Sequence, residues 1–151
     1  AQDAIRVTGG GRIAAAGNRL ADSLGSGILV EADAGVAFEL DVRGNEIVRQ
    51  VHGVFVRGCA GGAVTENVIR ASSLDGILLR QCTAVALVDN DIEASGGNGI
   101  LVNAPQELLG RDFALRRNRV AGSGANGIAV YARGTVVASA NLVTSSGNRS
   151  T

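Results

Sequence analysis

Arg57 and Arg80 are the residues of this chain most able to do chemistry, because each follows the same short motif, Gly-Val-Phe-Val in one case and Gly-Ile-Leu-Leu in the other. Two guanidiniums delivered by equivalent positions can clamp a carboxylate. His52, the single histidine, and Asp75 precede the same two glycines. They form a second candidate pair for acid–base work or a weak metal contact, although one His cannot build a zinc site alone. The simpler reading of both is a turn former ahead of a glycine. Cys59 and Cys82 are also equivalent positions, each three residues past its motif. Their spacing suits a disulfide, but parallel side chains make the dihedral awkward, and a buried thiol pair is the simpler expectation. Asp89-Asn90-Asp91 looks like a carboxylate cluster. Its Asn belongs to another row, so the two acids flank a corner.

These equivalences come from a repeat. Gly-aliphatic-x-aliphatic recurs at Gly27, Gly53, Gly76, Gly99 and Gly127, and Asn-x-aliphatic at Asn18, Asn45, Asn67, Asn90, Asn118 and Asn141. Apolar residues stand three before each Asn: Ala15, Val42, Val64, Leu87, Leu115 and Ala138. A serine row follows each Asn by five residues at Ser23, Ser72, Ser95, Ser123 and Ser146, interrupted by Gln50. Each unit thus holds three short alternating runs, which read as strands buried on one face. Units of about 23 residues cannot bury such faces alone and must stack. The expected fold is all-β, a single-stranded right-handed parallel β-helix of about six coils, with three short strands per coil. Its corner Asn residues are expected to adopt the left-handed conformation and to bond one another.

Composition agrees. The 151 residues include 22 Gly, 1 Pro, no Trp and 3 Phe, so the core is narrow and aliphatic. Fourteen arginines balance fourteen acids. That balance argues against nucleic acid and against an anionic membrane surface as partners. No apolar run is long enough to span a bilayer. No cofactor and no metal site is expected.

The Asn-x-Ile and Gly-Ile-x-Val pattern, running from about Ile13 to Ser146, resembles the right-handed β-helix repeats of the pectin-lyase-like superfamily. The resemblance implies that any catalytic group stands on the outer face of the Gly-Ile-x-Val sheet. That face carries Leu29, Phe55, Leu78, Leu101 and Ala129 as an outward apolar stripe, flanked by Glu31, Arg57, Arg80, Asn103 and Tyr131. The paired aspartates of the polygalacturonases and the Asp-Pro-His signature of the alginate epimerases are missing. The catalytic candidates therefore reduce to Arg57, Arg80, His52 and Asp75. A binding surface would use Phe55, Arg57, Arg80, Asn103 and Tyr131. Longer connections at Glu31–Phe38 and Asn103–Asp112 bracket the two arginines and frame a shallow basic notch.

The expected function is a non-catalytic β-helix module of a secreted, periplasmic or cell-surface protein, serving assembly or polysaccharide binding. The alternative is a fragment of a lyase, hydrolase or epimerase acting on acidic sugars. Leu29, Phe55, Leu78 and Leu101 are expected to form an interface with a second copy or with another domain of a parent protein. Residues 1–151 read as one domain, a piece of a longer solenoid or multidomain protein. Ser145-Ser146-Gly147-Asn148 starts a corner that Arg149-Ser150-Thr151 does not continue, which points to an open C-terminal end.

Overall fold

The computed structural model describes residues 2–33, 36–104 and 112–147. Among them there are strands and turns but no helix, and the strands form three parallel six-stranded sheets. Sheet 1 holds Ile5–Gly9, Ile28–Ala32, Val54–Arg57, Ile77–Arg80, Ile100–Asn103 and Ile128–Tyr131. Sheet 2 holds Gly11–Ala16, Phe38–Arg43, Cys59–Thr65, Val85–Val88, Phe113–Arg116 and Val136–Ser139. Sheet 3 holds Arg19–Ala21, Glu46–Val48, Val68–Arg70, Asp91–Glu93, Arg119–Ala121 and Leu142–Thr144. One strand from each sheet, in that order, makes a coil. Every strand pairs with its equivalent in the next coil, so the chain is a parallel β-helix of six coils.

The core is a set of stacked aliphatic rows. Ile28, Val54, Ile77 and Ile100 form one row of sheet 1 and are fully buried. Ile47, Ile69, Ile92 and Val120, two residues past their Asn, do the same for sheet 3. Each such side chain contributes ~1.5–3 kcal/mol by leaving water. The motif glycines are there for space. A Cβ at Gly76 would come within 2.5 Å of Ile92 Cγ2 and 2.6 Å of the Gly99 carbonyl oxygen. Gly53 and Gly99 face the same obstruction.

The Asn row forms the predicted ladder. Nδ2 of Asn18, Asn45, Asn67, Asn90 and Asn118 donates to Oδ1 of the Asn one coil on, at 2.8–3.0 Å. The backbone N–H of each donates to the same oxygen. The second Nδ2 hydrogen goes back to a carbonyl, as from Asn90 to Val64 at 2.8 Å. Asn67 and Asn90 are buried with their polar atoms bonded, which removes the desolvation cost of burying them.

One expectation fails in detail. The left-handed residue of this corner is not the Asn but the residue before it: Gly17, Gly44, Glu66, Asp89, Arg117 and Ala140 all have φ between 52° and 67°. The Asn is selected for its amide, and the strain falls on its neighbour. The serine corner repeats the arrangement, with Asp22, Arg49, Ala71, Ala94, Gly122 and Ser145 in the left-handed region. Because left-handed residues of adjacent coils also stack, two of these stacks carry bidentate ion pairs: Asp22 with Arg49, and Asp89 with Arg117. Asp91 binds Arg70 and Arg119. Asp89 and Asp91 are thus surface ion-pair partners on another edge of the molecule.

Candidate functional site

Sheet 1 places the predicted row in register: Glu31, Arg57, Arg80, Asn103 and Tyr131 succeed one another along the outer face. Glu31 is taken by Arg6, whose Nη2 donates to it at 2.9 Å. The next two rungs therefore present Arg57 and Arg80 with no carboxylate partner among the described residues. Arg57 Nε donates to Gln81 Oε1 at 3.3 Å. Arg57, Arg80, Gln81 and Asn103 line an open notch of about 270 Å³. Gln81 was not a sequence candidate. It follows Arg80 with φ 52°, and this left-handed turn carries it to the notch. The expectation of longer loops framing the notch falls partly on residues 34–35 and 105–111, which lie outside the described residues.

Rungs of a β-sheet stand ~4.8 Å apart, and two guanidiniums held at that separation would repel by roughly 0.9 kcal/mol even in water. Arg6, Arg49, Arg70, Arg117 and Arg119 each hold a carboxylate instead. An anion entering the notch would relieve the repulsion and meet amide donors from Gln81 and Asn103.

His52 and Asp75 do lie on adjacent rungs, with Nδ1 and Oδ2 3.6 Å apart, too long for a hydrogen bond. Nδ1 is buried without a hydrogen-bond partner, and the ring leans on Phe55 with centroids 5.4 Å apart. Burial lowers the His52 pKa, Asp75 opposes this, and the Arg80 charge adds to it. His52 is thereby held neutral near pH 7. Asp75 is engaged elsewhere, because its Oδ1 accepts the Asn98 backbone N–H at 2.8 Å and Asn98 Nδ2 at 2.9 Å. Asn126 does the same to Asn98, and Ser26 N–H to Asp3. The residues before the motif glycines thus form a second ladder, donating in the direction opposite to the Asn ladder and broken at His52. The sequence pattern marks these positions as turn formers, with His52 and Asp75 as a candidate pair, and does not announce the ladder. The succession of Asp, Asn and Asn at Asp75, Asn98 and Asn126 was the available signal.

The apolar stripe needs correction. Leu29 and Leu78 are only 7% and 5% exposed, so the single chain already covers them. Phe55, Leu101 and Ala129 are half-buried. Leu78 is bracketed by Phe55 and Leu101 on the neighbouring rungs, and row-mates of that size cover one another. Tyr131 is 61% exposed, the most open aromatic on this face.

Cys59 and Cys82 are both buried and unbonded, as the thiol-pair reading expected. They sit in the corner just past Arg57 and Arg80. Among the described residues no group of three or more His, Cys, Asp or Glu could hold a metal ion. Among the same residues no helix is long and apolar enough to cross a membrane.

No curated protein and no solved structure matches the chain. A family model described as the right handed beta helix region matches residues 3–150. With the stacked coils, the Asn ladder and a match over nearly its whole length, the chain belongs to the right-handed β-helix family.

Proposed function

We propose that this β-helix is a non-catalytic binding module of a secreted or cell-surface protein, and that its outer sheet-1 face takes the carboxylates of an acidic polysaccharide. The observation that carries the reading is the pair Arg57 and Arg80, adjacent, exposed and without carboxylate partners among the described residues, in a chain whose other arginines are largely paired. Bidentate guanidinium–carboxylate contacts fit such a pair, and Gln81 and Asn103 add neutral donors. Titration calorimetry with oligogalacturonate should show binding that weakens as salt rises, with neutral dextran inert. Arg57→Gln with Arg80→Gln should lower affinity at least tenfold without changing the melting temperature by more than a few degrees. Unchanged affinity in that double variant overturns the reading.

A fragment of an enzyme acting on acidic sugars is the second reading. It is supported by the neutral imidazole of His52 on the same face and close enough to feel the Arg80 charge. Formation of unsaturated uronate, followed by its absorbance during incubation with polygalacturonate, separates the two. Self-association through sheet 1 has less support, because it would newly bury Phe55 and Leu101 but little of Leu29 or Leu78.

A further inference from the structure

Cys59 and Cys82 occupy equivalent positions on adjacent coils, directly after the paired strands Val54–Arg57 and Ile77–Arg80. Backbone hydrogen bonds clamp the two segments on both sides of the thiols. Gly58 N–H donates to the Arg80 carbonyl at 2.9 Å, and Thr83 N–H to the Cys59 carbonyl at 2.9 Å. Stacked residues on neighbouring strands have Cα atoms near ~4.8 Å apart, inside the range a disulfide accepts. Both side chains are almost fully buried.

The two thiols differ in environment. Cys82 Sγ approaches the Arg80 carbonyl at 3.4 Å and the Val56 carbonyl at 3.8 Å. The hydrogen bond between the two sulfurs raises the pKa of Cys59, and burial raises it further. At Cys82 burial opposes the thiolate, but the same hydrogen bond, with the amides of Cys59 and Gly58, outweighs it and lowers the pKa.

Parallel side chains normally resist the dihedral a disulfide needs. Here glycines lie close to Cys59 on both sides. Gly58 has φ +85°, Gly61 is open but for one contact at 3.7 Å, and Gly62 has φ +117°. The ladder also slips by one residue between Phe38 and Glu39 opposite this stretch. Coil 3 is therefore irregular at the point where a small rotation of Cys59 is required.

We propose that Cys59 and Cys82 are an oxidisable pair that closes to an inter-coil disulfide, with a peroxide as the oxidant. One of the two sulfurs, as its thiolate, attacks one peroxide oxygen, the O–O bond breaks, and hydroxide leaves to give a sulfenic acid. The other sulfur then attacks the oxidised one, the S–O bond breaks, and the departing oxygen leaves as water with the remaining thiol proton. Two thiols lose two electrons, and one hydrogen peroxide becomes two waters.

The whole chain, treated with hydrogen peroxide under native conditions, should lose the mass of two hydrogens as a monomer and regain it with dithiothreitol. Closing the loop from Cys59 to Cys82 should raise the melting temperature by roughly 5–10 °C. Cys59→Ser should instead gain oxygen at Cys82 and show no such rise. Three outcomes overturn the proposal: unchanged mass in the wild type, oxygen gain without loss of hydrogens, or a disulfide-linked dimer. Each is read on the wild-type protein, so a serine variant that folds poorly does not blur the result. None depends on the arginine notch.

Discussion

At Asn90 a single side chain satisfies four hydrogen bonds: it accepts two from Asn67, and it donates to Asn118 Oδ1 and to the Val64 carbonyl. Asn90→Ala removes the acceptor of the buried Asn67 backbone N–H and Nδ2 and the donor to the Val64 carbonyl, while Asn118 Oδ1 keeps the backbone N–H of residue 90. It should cost on the order of 3 kcal/mol, read by chemical denaturation. His52 gives a pH-dependent prediction. Its folded-state pKa is depressed below the ordinary 6.5, chiefly by burial, so the unfolded chain takes up the proton first as pH falls. The stability this group contributes is fully present above pH ~6.5 and is lost as pH drops from there through the folded pKa. His52→Gln should flatten the stability profile between about pH 7 and pH 5, and an unchanged slope there would contradict the assignment. Ala94, held at φ 58°, makes a third test. Replacing it with Gly relieves left-handed strain but adds unfolded-state entropy, so melting should be unchanged or slightly higher.

In and beside the strands, glycines divide by what surrounds them. Gly76→Ala drives a Cβ into the Gly99 carbonyl, which is backbone and cannot yield. It should cost about 1–3 kcal/mol, whereas Gly61→Ala, with nothing nearer than 3.7 Å, should cost less than about 1 kcal/mol. The sheets were legible in the sequence because Gly76, Asn90 and Ser95 recur at fixed offsets from coil to coil, and stacking turns offset into register. The notch was legible for the same reason: Arg57 and Arg80 share an offset, so they must be neighbours. Gln81 was not, because its place depends on a left-handed backbone that no side-chain pattern announces. The covering of Leu29 and Leu78 was hidden too, since alternation tells which way a side chain points and not what its row-mates cover. Leu78→Ala should therefore behave as a core substitution and cost ~2–5 kcal/mol. A cost under about 1 kcal/mol would restore the picture of an exposed stripe.

Across the whole molecule, each strand pairs only with its equivalents in the coil before and the coil after, and both amide ladders run parallel to the helix axis. The backbone hydrogen bonds between coils run the same way. A pull on the two chain ends along that axis therefore loads the bonds one rung at a time, as a zipper is loaded, and does not shear a whole sheet at once. Each ladder step contains 22 to 28 residues. Freed one coil at a time, the chain should lengthen in jumps of roughly 75–95 Å at extended spacing. The solenoid would act as a stack of nearly equal springs in series, yielding at low force and storing a coil's length of slack at each step.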